Sequence, residues 1–502
     1  MRYEEQIKNY FDAHWFEMMR DISRICAINS EKMPEKEGMP FGEGPYQALM
    51  EFGEMAKEKG FSYDTYGNAV GAVNLNDGER QLDILAHLDV VPAGDGWQVT
   101  EPFNVIMKDG RIYGRGTADD KGPAVVALWA LKAIRDLQIP VTKNARLVVG
   151  TDEECGSGDL PYYYAKEAEA PMTFSPDAEY PVINVEKGAF RPVFRASWEK
   201  EAGLPRLVSM KGSLKFNVLP GKAFAVIETK DSLCSLDEMK AIAGKVTEKI
   251  GVQFEIAEEG SAVEAVAGSA LDAAADASAK AGSAADASAL RFSITAIGET
   301  SHAASPSKGN NALTGLIEFL CALPLDESLV STAKLHALKK LFPHGDYAGK
   351  AIGAAMEDEV SGPLTLTFSM MDWNETGFWG QFDCRASVCA TQENLHDVVR
   401  DNLLAEGIEM DPTELEPPHH VPGDSAFVKE LLAVYEAYTG RKGECLAIGG
   451  GTYVHHLKNG VAFGCSMPGT ENRMHGPDEF AVIDELIVSA KMFTQIIADL
   501  CQ

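Results

Sequence analysis

The feature that most constrains this chain is a run of three segments between residues 82 and 154. LDILAHLD (82–89) is a short apolar run with His87 and Asp89 at its end. Residues 123–136 are apolar at helical spacing and follow the glycine-rich turn YGRGTADDKGP. ARLVVGTDEE (145–154) is a second buried-strand pattern, closed by acids. Strand, helix, strand is the α/β pattern, and in open α/β sheets functional groups collect beyond the carboxyl ends of the strands. The acids and the histidine of these segments stand at those ends.

The remaining texture divides the chain. Residues 3–25 carry Ile7, Phe11, Trp15, Met18, Met19 and Ile22 at helical spacing, and 45–60 reads as a second helix closed by Gly60. After about residue 186, strand patterns such as FRPVFRASW and KAFAVIET alternate with helix patterns at 235–251 and 309–323, an α+β texture. Inside it, residues 257–290 are nearly half alanine and read as an exposed helix or a mobile insertion with no chemistry of its own. From about 385 the α/β texture returns, with the helix VKELLAVYEAYTG, the turn IGGGTYVHH and a strong final helix. The expected organisation is one domain built from 1–186 and 385–502, interrupted by a second at 187–384.

A formal net charge of −30 argues against nucleic acid and anionic membranes as partners, because both need clustered Lys and Arg. Nine cysteines without a C-x-x-C pair argue against a disulfide framework or a thiolate zinc site. Reduced thiols, an N-terminus without a signal-peptide layout and the lack of a spanning apolar run lead to the expectation of a cytoplasmic protein.

Four clusters carry the candidate chemistry. His87 and Asp89, two apart in an extended segment, share a face, and a ligating histidine needs an acceptor for its other nitrogen. Asp119 and Asp120 are adjacent, so at most one faces the same point as His87. Asp152, Glu153 and Glu154 crowd like charges that a cation would relieve. Asp177 lies in FSPDAEYPV, and far downstream SMPGTENRMHGPDEF places His475 ahead of the final helix. Each cluster alone also reads as a satisfied polar pair or a solvated loop. Together, histidines and carboxylates without cysteine are the donor set for a pair of divalent cations.

In this order the motifs resemble the aminoacylase/carboxypeptidase/dipeptidase family of co-catalytic metallopeptidases, and within it the PepV-like (Xaa-His, carnosinase-type) dipeptidases. The resemblance covers nearly the whole chain. It implies a mixed-sheet, zinc-peptidase-like α/β catalytic domain with an inserted α+β lid domain. It also implies two divalent metal ions, zinc first, with manganese or cobalt as alternatives. One ion is expected at His87, Asp119 and Asp177, the other at Asp119, Glu154 and His475; Asp89 orients His87. The resemblance selects Asp119 over Asp120, and His475 over His419, His420, His455 and His456. It makes Glu153 the general base for a hydroxide held between the metals. From the lid, His302 in SHAASPSKGNNA is expected to hold the carbonyl oxygen in the tetrahedral state, with Asn217 as a further polar contact. Arg385 in FDCRAS is expected to grip the substrate's C-terminal carboxylate, with the turn Gly449–Tyr453 in support. The implied activity is hydrolysis of dipeptides or short peptides by a monomer. Deacylation of N-acyl amino acids is the second reading, and a non-catalytic peptide-binding relative the third. The alanine-rich tract has no counterpart in the family's motifs.

Overall fold

The computed structural model describes residues 1–259 and 289–502. They form two compact units, Met1–Glu186 with His419–Gln502, and Lys187–Pro418.

In the first unit a nine-stranded sheet is built around three parallel neighbours. Arg80–His87 lies between Asn144–Gly150 and Met172–Ser175 and runs parallel to both. Asn144–Gly150 is buried along its whole length, as a parallel strand covered on both faces must be. Antiparallel strands flank this centre: Val70–Asn74 on Asn144–Gly150, and His419–His420 on Val182–Glu186. Helix Lys121–Asp136 is apolar almost all round, so it packs as a central helix against the sheet and against Glu4–Cys26 and Ile483–Leu500. Ile7, Phe11, Met18, Ile22 and Ile25 of the opening helix close this core.

The second unit is an antiparallel nine-stranded sheet with helices, the α+β arrangement. Its long strands Thr365–Asn374 and Gly377–Ala386 form a hairpin. Helix Leu236–Ile250 starts on a capping box between Ser235 and Glu238 and stops at Gly251 in the left-handed region.

One expectation changes here. The first unit resumes at His419, not at 385. Gly377–Ala386 is paired with Thr365–Asn374 on one edge and with Val193–Ser197 and Gly188–Phe190 on the other. Leu395, Val399, Leu403 and Ile408 then close the second core. The helical pattern near 400 fits either domain, and only packing assigns it. Of the alanine-rich tract at 257–290, residues 260–288 lie outside the described residues; at its two ends Gln253–Glu258 pairs with Leu290–Ile297, Glu258 opposite Phe292. Among the described residues no helix is long and apolar enough to cross a membrane, and all nine cysteines are free thiols.

Candidate metal centre

Parallel neighbours end side by side, and here they end in donors. His87 is the last residue of its strand, Glu153–Cys155 is a short turn just beyond Gly150, and Asp177 follows Met172–Ser175. Asp119 comes from the glycine-rich turn that precedes Lys121–Asp136. His475 arrives by a different route. Phe480–Val482 pairs antiparallel with Arg111–Tyr113, the strand that leads into that same turn, which brings residues 475 and 119 together. The backbone of His475 is left-handed (φ 63°), as are those of Arg473 and Asp478 in the same turn.

Two groups of donor atoms result, His87, Asp119 and Asp177, and Asp119, Glu154 and His475, each with its atoms within 4.8 Å of one another. Asp119 belongs to both. Its Oδ1 is 3.0 Å from His87 Nε2 and its Oδ2 is 2.8 Å from His475 Nε2. His87 Nε2 stands 3.6 Å from Asp177 Oδ2, and His475 Nε2 stands 3.4 Å from Glu154 Oε2. Ligands about 2.0–2.2 Å from one ion in a tetrahedron stand roughly 3.3–3.6 Å apart, so these spacings suit shared cations. His87 Nε2, Asp119 Oδ1 and Glu154 Oε1 are buried and meet no hydrogen-bond partner among the described residues. Buried polar atoms of this kind are costly unless something else satisfies them.

Electrostatics points the same way. Burial, reinforced by neighbouring carboxylates, pushes Glu153 well above the ordinary range and Glu154 up to about 7. Asp177 is raised by burial and by Asp119. Asp119 is held low despite its burial, because His475 and His87 flank it. His475 is driven up to about 11 by Asp119 and Glu154. The four carboxylates Asp119, Glu153, Glu154 and Asp177 cannot all ionise here without compensating charge, which bound metal would supply. The residues fit the metals.

The supporting residues divide into those foreseen and those missed. Asp89 supports His87, whose Nδ1 lies 3.1 Å from its main-chain oxygen and 3.4 Å from its Oδ1. A proton on Nδ1 leaves Nε2 with its lone pair toward the donors. The Asp89 carboxylate also accepts from the N–H groups of Glu153 (3.2 Å) and Glu154 (3.1 Å), so it seats the acidic turn as well. Asp152 turns away and pairs with Lys32 at 2.7 Å. Asp120 accepts from the main-chain N–H of His87 at 3.1 Å. Glu479 went unnoticed, although it stands four residues after His475; nothing local distinguishes it from a loop acid. The N–H of Thr452 in the turn Gly449–Tyr453 is committed to Glu186 (3.1 Å), and His455 Nδ1 faces the same carboxylate at 3.1 Å.

His302, Asn217 and Arg385 belong to the other unit. There Val218 pairs with His302, and the N–H of Ala303 donates to the carbonyl of Asn217 at 2.9 Å, which places Asn217 beside His302. His302 is exposed, and its Nδ1 accepts from the N–H of Ala304 at 3.1 Å, so the ring proton is on Nε2. Arg385 grips the buried Asp383 through Nε (3.0 Å) and Nη2 (2.9 Å), while Arg191 Nε takes the other oxygen of Asp383 at 2.9 Å.

An α/β domain with histidines and carboxylates converging beyond its parallel strands, and no thiolate among them, is the arrangement of a metal-binding enzyme. Residues 84–499 match peptidase family M20/M25/M40, and the chain belongs to that family. YtjP of Bacillus subtilis (strain 168) is 32% identical over 491 residues, 97% of each chain. The Beta-Ala-Xaa dipeptidase of Lactobacillus delbrueckii subsp. lactis is 32% identical over 497 residues, 96% of each chain. Human carnosine dipeptidase 1 has the same fold, with a TM-score of 0.56 at 14% identity over 100% of this chain and 99% of its own.

Proposed function

We propose that this peptidase hydrolyses dipeptides and other short peptides that carry a free C-terminal carboxylate. The observation that carries the reading is Asp119, which presents one oxygen to His87 and the other to His475. Two divalent cations, zinc in the first instance, would be held by His87, Asp119 and Asp177 and by Asp119, Glu154 and His475. When bound, such a pair supplies Lewis acidity to the scissile carbonyl and to water.

The chain's own groups do the rest. Glu153, in the acidic turn but outside both donor groups, takes the proton of the attacking water and returns it to the leaving amine. Nε2–H of His302 is a donor suited to the oxyanion, a contact worth about 10²–10³ in rate. Asn217, beside it, adds a polar contact. The guanidinium of Arg385, held by Asp383, suits a terminal carboxylate through its planar, two-pronged geometry. The name of the 32% identical Beta-Ala-Xaa dipeptidase supports a dipeptide substrate. We take the enzyme to act as a cytoplasmic monomer.

The test is an activity screen on apo-protein with Zn²⁺, Mn²⁺ and Co²⁺ added back singly. The panel contains dipeptides beside acetyl- and succinyl-amino acids. Metal-dependent cleavage of the dipeptides is expected. Cleavage of the acyl-amino acids alone would transfer the reading to deacylation, and peptide binding without hydrolysis under every metal would end the catalytic one.

A further inference from the structure

Glu479 is buried completely, and its carboxylate and main-chain oxygen are engaged with the segment that carries Asp119. Its Oε1 accepts from the N–H groups of Gly116 (3.0 Å), Ala118 (3.1 Å) and Asp119 (3.3 Å). Its Oε2 accepts from Arg115 Nη1 at 2.5 Å, and its main-chain oxygen accepts from the N–H of Gly114 at 3.0 Å. Arg115 reaches on to the carbonyls of Pro92 (3.4 Å) and Ala93 (3.3 Å), downstream of His87 and Asp89. The preceding residue, Asp478, accepts from the N–H groups of Gln98 and Val99, both at 2.8 Å.

The turn that delivers His475 therefore also holds the loop that delivers Asp119, through one carboxylate set in a ring of main-chain N–H groups. The loop curls tightly enough to aim those groups at one point because Gly116 is left-handed (φ +87°) and a Cβ there would press on Lys121 and Val90. We infer that Glu479 is a positioning residue for the metal centre: it fixes the main chain of Asp119, and through it the placement of the shared carboxylate between His87 and His475. The inference rests on the two-ion reading above. Outer partners of metal ligands typically contribute about 10–100-fold in metal affinity.

The test separates positioning from folding. Glu479→Ala by itself would leave Arg115 charged and buried without its partner, a cost to the fold. The comparison is therefore made in an Arg115→Met background, between Glu479→Gln, which keeps an oxygen for the three N–H groups, and Glu479→Ala, which removes it. Each apo-protein is titrated calorimetrically with Zn²⁺, and its thermal midpoint is measured without metal. The alanine form is expected to bind at least one ion about 10–100-fold more weakly than the glutamine form, at similar apo midpoints. Equal affinity in the two forms would overturn the inference. So would an apo midpoint that collapses only in the alanine form, since the acid would then be holding the fold. A wild-type protein that takes up fewer than two ions would sink the two-ion reading and this inference with it. Wild type with two ions and indifferent variants would sink the inference alone.

Discussion

At the scale of single residues, the acids of the centre have divided labour although their chemistry is the same. Asp152, Glu153 and Glu154 are consecutive, yet Asp152 pairs with Lys32, Glu154 meets His475, and Glu153 stands outside both donor groups. Glu153→Ala is expected to keep both ions in elemental analysis while kcat falls by about 10²–10⁴. A variant with wild-type turnover would remove Glu153 from the base position. Asp119→Ala takes a donor from both groups at once and leaves His87 and His475 without the carboxylate between them. It is expected to lose both ions on dialysis, and two ions retained per chain would exclude a shared ligand. The adjacent Asp120 provides the contrast: its carboxylate is spent on the main-chain N–H of His87.

At the scale of elements, the glycine-rich turn and the helix after it act as one mounting. A Cβ at Gly122 would lie 2.1 Å from the carbonyl oxygen of Thr117, which is backbone and cannot swing aside. Gly122→Ala is expected to cost about 1–3 kcal/mol in denaturant unfolding, the usual range for overpacking. Gly244 is the opposite case, exposed in the middle of Leu236–Ile250 with nothing within 4 Å of its Cβ position. Gly244→Ala is expected to stabilise by about 0.8–1.0 kcal/mol with activity unchanged. If both glycines responded with the same sign, crowding at the turn would not be what distinguishes them.

At the scale of the whole molecule, metal and stability are linked, because the donors come from segments nearly four hundred residues apart and only the folded chain assembles them. Each ion bound to the native state alone, at one hundred times its dissociation constant, contributes about 2.7 kcal/mol. Chelation is expected to lower the thermal midpoint and abolish hydrolysis together, and metal return should restore both; a midpoint indifferent to chelator would place the donors elsewhere. How far all this is legible beforehand depends on the range of the interaction concerned. The strand–helix–strand run, the opening and final helices and the identity of His87, Asp119, Glu153, Glu154, Asp177 and His475 as candidates are written in local pattern and in motif order, because apolar period and residue chemistry are properties of neighbours along the chain. The return to the first unit at His419, the strand pairing on both sides of the alanine-rich tract, the left-handed turn at His475 and the use of Glu479 were decided by tertiary packing. A hydrogen bond from Asp119 to Glu479, or a strand that chooses one core over another, depends on which distant segments meet, and one-dimensional periodicity carries no record of that.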